Sequence, residues 1–257
     1  MHRIAILVLM ASLPALAAPD CTVRSGPNTA ALIELYTSEG CSSCPPADQW
    51  LSSFARAHRS ALVVPIAFHV SYWDYIGWKD AYADPRFGER QRERAKASGA
   101  SMVYTPQVMI GGRDFREWAS EAELERRLEA LNRAAPRAQI EVRALIQPEG
   151  GLRLAAKATL APSARAADAV LQLAVAQNGL ASRVTAGENR GEHLRHDFVV
   201  RDFRTYARAS SGDGEIAADA AVAPWAGWDV GHLSVIAFVQ DRKTGEILQA
   251  LSAPVCK

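Results

Sequence analysis

The chain has 257 residues, 49% of them hydrophobic, and carries 29 Lys and Arg against 28 Asp and Glu. Charges this closely balanced argue against nucleic acid or an anionic membrane surface as the main partner. The length is sufficient for a substantial buried core and for two domains.

The first residues have the pattern of a secretory signal peptide. Residues 1–3 provide a basic start, an apolar stretch covers residues 4–13, and Ala15-Leu16-Ala17 forms an A-x-A cleavage site. We therefore predict that residues 1–17 are removed on export and that the mature protein is secreted or periplasmic. No other apolar run approaches the length of a transmembrane helix, so we expect no membrane span.

Strands and helices are predicted to alternate between residues 30 and 135. Apolar runs of strand length predict three strands, and helical periodicity with capping residues such as Asp84 and Ser120 predicts three helices. In chain order, the predicted elements are a strand at 30–36, a helix at 45–58, a strand at 61–68, a helix at 84–97, a strand at 107–110 and a helix at 120–131.

The pattern changes after residue 138. Six or seven short apolar or alternating segments follow, separated by Gly, Pro, Asn and Asp, which favours an antiparallel β-sandwich. The sequence therefore predicts an α+β protein in two parts after the signal peptide. The first part is an α/β domain at 28–135, and the second is an antiparallel β-sandwich domain at 138–257.

Cys41-Ser42-Ser43-Cys44 lies between the first predicted strand and the helix that starts at Pro45. Two cysteines three residues apart at a helix start are close enough to form a reversible disulfide, and the positive end of the helix dipole favours a thiolate there. We predict that Cys41, at the exposed end, is the attacking thiolate and that Cys44 is the resolving thiol. A bare Cys-x-x-Cys also occurs in metal sites, so the motif alone leaves both chemistries open.

The four cysteines allow three pairings. Cys41 with Cys44 is the local choice, which leaves Cys21 near the mature N-terminus and Cys256 near the C-terminus. Because chain termini often lie close together, we predict a structural disulfide between Cys21 and Cys256.

Three motifs resemble a known family. They are residues 33–48 around the cysteines, His69-Val70-Ser71-Tyr72-Trp73-Asp74, and Tyr104-Thr105-Pro106-Gln107. The order of elements in the first part resembles the thioredoxin fold, and the motifs together resemble a family of secreted bacterial thioredoxin-like proteins catalogued only as a domain of unknown function. The resemblance implies a thioredoxin-like N-terminal domain and an export route, but no settled activity.

The thioredoxin-like resemblance implies roles for two further residues. Pro106 resembles the cis-proline that packs opposite the disulfide and presents backbone to a peptide substrate; the alternative is an ordinary trans proline at a strand start. Glu34 matches the buried acid that accepts the proton of the resolving thiol; the alternative is an outward-facing strand residue. Both alternatives remain open.

An aromatic segment follows the second predicted strand. Tyr72 and Trp73 lie just beyond the carboxyl end of that strand, at the edge where the cysteine turn is expected. With Thr105 and Pro106, they are predicted to bind substrate. The alternative is that the aromatic side chains fill a local core.

The favoured function is that of an exported thiol–disulfide oxidoreductase acting on thiols or disulfides of proteins or peptides. The sulfur atoms carry the electrons, so we expect no separate cofactor. One alternative is a periplasmic metallochaperone that binds copper through Cys41, Cys44 and His69; another is a binding module without turnover. His193 and His196 are three residues apart, so they should point to opposite faces of a strand, which argues against a metal site there.

Overall fold

The computed structural model describes residues 21–56, 62–100, 102–162, 164, 167–207 and 214–256. The predicted signal peptide at residues 1–17 lies outside the described residues. No helix in the described part is long and apolar enough to cross a membrane.

Strands predominate in the described part, which contains three α-helices and fourteen β-strands. The helices are α1 (Pro45–Arg56), α2 (Pro85–Ala97) and α3 (Glu121–Asn132). The strands are β1 (Thr22–Arg24), β2 (Ala31–Thr37), β3 (Val63–His69), β4 (Gln107–Ile110), β5 (Arg113–Asp114), β6 (Ala138–Ile146), β7 (Leu152–Leu160), β8 (Ala169–Gln177), β9 (Leu180–Arg183), β10 (His193–His196), β11 (Val199–Ala207), β12 (Glu215–Val222), β13 (Leu233–Asp241) and β14 (Ile247–Pro254). Short 3-10 helices cover Ser71–Ile76 and Val230–His232.

The largest sheet takes strands from both halves of the chain. Its eight strands lie in the order β14-β13-β8-β11-β3-β2-β4-β5. A second sheet has the order β1-β6-β7-β12, and β9 pairs with β10 in a two-stranded hairpin. The prediction of a thioredoxin-like α/β domain followed by a separate antiparallel β-sandwich domain is therefore wrong. The protein is mostly β, and one mixed sheet runs through both parts.

Strand β11 joins the two parts of this sheet. It pairs in parallel with β3, where Val199 lies opposite Ala67, and antiparallel with β8 over most of its length. The Ala67 N–H also donates to the Phe198 carbonyl oxygen (2.9 Å). Hydrophobic periodicity identifies a strand but not its neighbour in the sheet, so the sequence pattern does not show this connection.

Both faces of the large sheet are covered. On one face, Ile33 of β2 packs in a cluster with Leu51 of α1 and Leu124 of α3. On the opposite face, Tyr36 of β2 packs in a cluster with Phe87 of α2. The second sheet covers β8, β13 and β14 and forms a third cluster. Burial on both faces explains why β2 is apolar almost throughout rather than alternating.

Arg90 of α2 lies on the face opposite α1 and is only 7% exposed. Its guanidinium forms an ion pair with Glu34 of β2 and donates to Gln172 of β8 (2.8 Å). The guanidinium carbon also lies between 5.2 and 5.4 Å from the ring centroids of Phe68, Phe203 and Phe238. Because these partners belong to five different strands, this one side chain connects the two parts of the large sheet.

Arg90→Met should destabilise the protein by about 3–5 kcal/mol, because Glu34 would remain as a buried carboxylate without its partner. Urea unfolding followed by circular dichroism measures the change. The double variant Glu34→Leu/Arg90→Met removes both charges and should recover most of the loss. Arg153→Met is the control, because its pair with Asp219 is about half exposed and should contribute less than roughly 1 kcal/mol. Equal losses in the two single variants would contradict the central role of Arg90.

Candidate functional site

Cys41 and Cys44 are joined by a disulfide bond, with their Cα atoms 5.4 Å apart. Helix α1 begins immediately afterwards at Pro45, and the Cys44 carbonyl oxygen accepts from the backbone N–H of Asp48 (3.1 Å). The Ser43 hydroxyl donates to the Cys41 sulfur across 3.4 Å. The pair therefore lies at the amino end of α1, where the helix dipole and a hydroxyl both favour a sulfur anion.

The loop between β9 and β10, residues 184–192, covers the cysteine turn, and we call it the covering loop. Asn189, itself buried, donates from Nδ2 to the carbonyl oxygens of Glu39 (2.8 Å) and Cys41 (3.0 Å). Cys41 is only 1% exposed. The expectation that Cys41 forms the exposed end of the pair is wrong, because the residues that cover it come from a segment far along the chain.

Glu188 of the covering loop places a carboxylate beside the cysteine pair. Its Oε2 accepts from the backbone N–H of Ser42 at 3.0 Å. Hydrogen bonds from the backbone and the side chain of Ser42 lower the pKa of Glu188, so this carboxylate is ionised at neutral pH. Its negative charge opposes formation of a thiolate on Cys41 and so acts against the helix dipole.

Trp73 connects the cysteine turn to Thr105. Its indole N–H donates to Thr105 Oγ1 (2.7 Å), and a Cβ placed on Gly40 would lie 3.1 Å from the Trp73 Cβ. The Tyr75 ring, 81% exposed, stacks on Trp73 with ring centroids 6.5 Å apart. Of the predicted substrate-binding residues, Trp73 thus lies at the cysteine turn, with Thr105 hydrogen-bonded to it and an exposed aromatic ring beside it.

The other two predicted substrate-binding residues have different surroundings. The Thr105–Pro106 peptide bond is cis, as the resemblance implied, and Pro106 directly precedes β4, the neighbour of β2. Tyr72 turns toward α2 instead. Its hydroxyl donates to Gln91 Oε1 (3.1 Å), and burial raises the pKa of Tyr72. Tyr72 therefore belongs to the packing of α2.

Glu34 is fully buried, but it lies on the face of β2 turned toward α2, opposite the face covered by α1. It forms the ion pair with Arg90 and accepts from the Tyr36 hydroxyl across 3.4 Å. The structure therefore does not bring Glu34 to the cysteine pair. Its contacts are those of a charge that stabilises the sheet.

A second group of polar side chains is buried beside the cysteine turn. Asp48 lies one helical turn after Cys44, His69 ends β3 and His196 ends β10. One nitrogen or oxygen atom from each of the three lies within 4.8 Å of the others, and the residues are 6%, 0% and 2% exposed. We refer to Asp48, His69 and His196 as the Asp–His cluster.

Buried carboxylates orient both imidazole rings of this cluster. His69 Nδ1 lies 2.7 Å from Asp80 Oδ2, and His196 Nε2 lies 3.2 Å from Glu39 Oε1. Burial by itself raises the pKa of Asp80, but attraction to His69 and hydrogen bonds outweigh it, so the pKa is lowered. With a proton on each nitrogen that faces a carboxylate, the other two ring nitrogens present lone pairs.

Asp48 supplies the carboxylate of the cluster. Its Oδ2 accepts from the Thr37 hydroxyl (3.0 Å) and lies 3.9 Å from His196 Nδ1. Burial raises the pKa of Asp48 to about 7, against the opposing effects of His196 and the Thr37 hydroxyl. Its spacing of four residues from Cys44 places the two on the same face of α1.

His69 was predicted from the sequence as a candidate metal ligand, whereas its neighbours Asp48 and His196 were not. The alternation predicted for His193 and His196 is confirmed, since His193 is exposed and His196 is buried. Nevertheless His196 meets His69, their ring centroids 4.8 Å apart, because the β9–β10 hairpin folds against α1. One signal was available in the sequence, namely the four-residue spacing that places a carboxylate on the cysteine face of the helix.

The remaining cysteines lie at one end of the second sheet. Cys21 immediately precedes β1, which pairs with β6, and the Cys256 N–H donates to the Ala144 carbonyl oxygen of β6 (3.0 Å). A hydrogen bond with Cys21 is the main effect that raises the pKa of Cys256. Both are free thiols in this structure, so the Cys21–Cys256 disulfide stays a prediction.

The chain belongs to the family described as "Protein of unknown function (DUF1223)", whose model matches residues 32–240. A crystal structure of a protein from Agrobacterium tumefaciens is 24% identical, with a TM-score of 0.65 over 91% of this chain and 97% of that chain. HBP35 of Porphyromonas gingivalis is 13% identical, with a TM-score of 0.65 over 89% of this chain and 76% of that chain. At these identities the similarity shows a shared fold. No curated protein matches the chain.

Asn189→Ala should accelerate reduction of the Cys41–Cys44 disulfide by dithiothreitol, by up to about tenfold. The reason is that the covering loop loses its two hydrogen bonds to the cysteine turn. The rate at which free thiols appear, under excess reductant, measures the effect. Arg190→Ala is the control, because Arg190 is an exposed residue of the same loop. In this variant the disulfide should be reduced at the wild-type rate. An unchanged rate in Asn189→Ala would mean that the loop does not limit access.

Proposed function

We propose that the chain is an exported thiol–disulfide oxidoreductase that works through the Cys41–Cys44 pair on thiols or disulfides of proteins or peptides. The observation that carries the proposal is a disulfide at the amino end of α1 with the Ser43 hydroxyl on the Cys41 sulfur. A disulfide that closes so short a loop removes little chain entropy, on the order of 2 kcal/mol, so stabilisation of the fold is a weak reason for its presence.

In the oxidising direction, a substrate thiolate attacks the Cys41 sulfur, forms a mixed disulfide and releases Cys44 as a thiolate. A second substrate thiolate attacks the substrate sulfur of the mixed disulfide and releases Cys41 as a thiolate. The substrate leaves as a disulfide, and the cysteine pair has gained two electrons and the two protons of the substrate thiols. The reducing direction is the same sequence reversed.

Cys41 is the sulfur that exchanges with substrate, attacked in the oxidising direction and attacking in the reducing direction, because the helix dipole and the Ser43 hydroxyl favour an anion there. The Ser43 hydroxyl donates to its sulfur, whereas Glu188 places a negative charge next to the turn. Cys44, with no exposed surface, lies under the first turn of α1. Attack at Cys41 requires the covering loop to move aside, which makes the loop part of the reaction cycle.

The aromatic side chains beside the turn support a protein or peptide substrate. Trp73 contacts the cysteine turn at Gly40, and the exposed Tyr75 ring extends the same surface outward. Tyrosine and tryptophan are enriched where proteins contact one another, because a large apolar ring carries a polar edge. A small thiol such as glutathione has no need of such a surface.

We also propose that the protein is exported from the cytoplasm. The basic and apolar start of the chain with its A-x-A site supports removal of residues 1–17. The Cys41–Cys44 disulfide is consistent with an oxidising compartment, where such bonds persist. We place the mature protein in the bacterial periplasm or outside the cell.

Cys44→Ser should retain a disulfide-containing peptide as a mixed disulfide on Cys41, because the thiol that would release it is missing. Cys41→Ser is the matched control and should retain little. Oxidised insulin is the probe, and non-reducing electrophoresis after acid quenching measures the covalent complex. Failure of both variants to form the complex, together with equally slow alkylation of the two remaining thiols, would leave a scaffold without thiol exchange.

Equilibration of the wild type with glutathione buffers gives the reduction potential of the pair. A value near about −120 mV indicates an oxidant and one near about −270 mV a reductant. Either supports the proposal, since both allow exchange with substrate thiols. A value below about −300 mV would identify a structural disulfide and contradict it.

Glu188→Gln should lower the pKa of the Cys41 thiol, because the neighbouring carboxylate favours the neutral thiol. In the Cys44→Ser background, Cys41 should then react with iodoacetamide roughly threefold to tenfold faster at pH 6, where a lower pKa means more thiolate. Glutamine retains an acceptor for the Ser42 N–H, so the loop stays in place. Glu192→Gln, exposed on the same loop, is the control and should leave the rate unchanged.

A further inference from the structure

We propose that the Asp–His cluster is a binding site for a divalent transition-metal cation of the zinc class. The ligands are the Asp48 carboxylate, His69 Nε2 and His196 Nδ1. This site differs from the copper site considered above because it uses neither cysteine. It can therefore be tested with the Cys41–Cys44 disulfide intact, independently of thiol chemistry.

Three buried groups able to accept hydrogen bonds converge in the Asp–His cluster. His69 Nε2 and His196 Nδ1 are buried and have no hydrogen-bond partner among the described residues. The third member, Asp48, turns its Oδ2 to within 3.9 Å of His196 Nδ1. Two lone pairs and a carboxylate directed at one another are unfavourable in a buried site unless a cation lies between them.

Carboxylates outside the cluster orient both imidazole rings. Histidine ligands of metals almost always donate their other ring N–H to a carboxylate or carbonyl, which fixes the tautomer and orients the ring. Here Asp80 Oδ2 lies 2.7 Å from His69 Nδ1, and Glu39 Oε1 lies 3.2 Å from His196 Nε2. The Thr37 hydroxyl orients the Asp48 carboxylate in the same way, by donating a hydrogen bond to it.

The charges buried around the cluster also favour a cation. Asp48, Glu39 and Asp80 are buried carboxylates that surround two imidazole rings. The guanidinium of Arg201 lies at the edge of this group, its central carbon 5.0 Å from the centroid of the Tyr82 ring. A divalent cation at the centre offsets the remaining negative charge, which burial otherwise makes costly.

The dimensions and the ligand chemistry fit a first-row metal. Atoms bound to zinc at about 2.0–2.2 Å stand roughly 3–4 Å apart, so the three side chains need to approach by about an ångström from their present separation of up to 4.8 Å. Imidazole and carboxylate ligands suit zinc and its first-row neighbours rather than calcium.

A route to the site exists from solvent. A cavity of about 390 Å³ lies between α1 and the β9–β10 hairpin, and Asp48 and His196 both line it. Three protein ligands next to an open cavity leave one coordination position for water or a bound molecule. That arrangement is typical of zinc sites that act on a ligand, whereas purely structural sites are closed by four protein ligands.

Titration of the full, untagged protein with zinc and cobalt tests the site. The protein is treated with EDTA, its free thiols are alkylated with iodoacetamide, and the Cys41–Cys44 disulfide is left intact. Isothermal titration with Zn²⁺ should give one equivalent. The absorption spectrum of the Co²⁺ form should show d–d bands of nitrogen and oxygen ligation without a sulfur charge-transfer band.

Asp48→Asn and His196→Gln should each weaken Zn²⁺ binding by more than about a hundredfold, and Asp80→Asn, which alters only the outer group, by about tenfold to a hundredfold. The matched control is His193→Gln, an exposed histidine of the same strand, which should bind like the wild type. Zn²⁺ should also raise the thermal midpoint of the wild type but not that of His196→Gln.

The wild-type titration does not depend on how well any variant folds. Absence of a stoichiometric Zn²⁺ or Co²⁺ site in the disulfide form would overturn the proposal and leave a proton as the cation between these groups. Binding that survives both Asp48→Asn and His196→Gln, or that is lost in His193→Gln, would place the metal elsewhere and overturn it as well.

Discussion

The ion pair between Arg90 and Glu34 is the interaction on which the rest of the structure depends. A guanidinium among three phenylalanine rings is stable there because its carboxylate partner is buried with it. The carboxylate belongs to β2, and the rings belong to β3, β11 and β13. The pair therefore holds together the strands whose ends carry the cysteine turn and His69, and it fixes the position from which the β9–β10 hairpin reaches both.

Individual elements could be predicted from the sequence, but their arrangement in the sheet could not. The strand predicted at 107–110 is β4, and the helix predicted at 84–97 is α2, within one residue. Strands β1, β9 and β10 were not predicted, because they have three or four residues of mixed polarity and are too short to show a periodicity. The joining of the two parts depends on β11 lying beside β3, and no local pattern encodes a pairing between segments so distant along the chain.

The same limit applies to the site. The cysteine pair, Trp73 and Thr105 could be picked out from nearby residues of the sequence. Asn189 and His196 are brought to the cysteine turn by the β9–β10 hairpin, which is distant along the chain. Glu34 illustrates a different limit. In a strand buried on both faces the apolar pattern does not alternate, so it does not tell which face an isolated carboxylate joins. Only the position of Arg90 on α2 decides that Glu34 points away from the cysteines.

The order of strands in the large sheet also determines how this protein can meet other chains. One edge strand, β5, has two residues, too few to serve as a template. The other, β14, is held against the second sheet by two backbone hydrogen bonds. The Arg137 N–H, just before β6, donates to the Leu248 carbonyl oxygen of β14 (3.2 Å), and the Cys256 N–H, just beyond β14, donates to the Ala144 carbonyl oxygen of β6 (3.0 Å). Open strand edges are where foreign strands attach and aggregation begins. With both edges of the large sheet protected in this way, another chain cannot attach by extending that sheet.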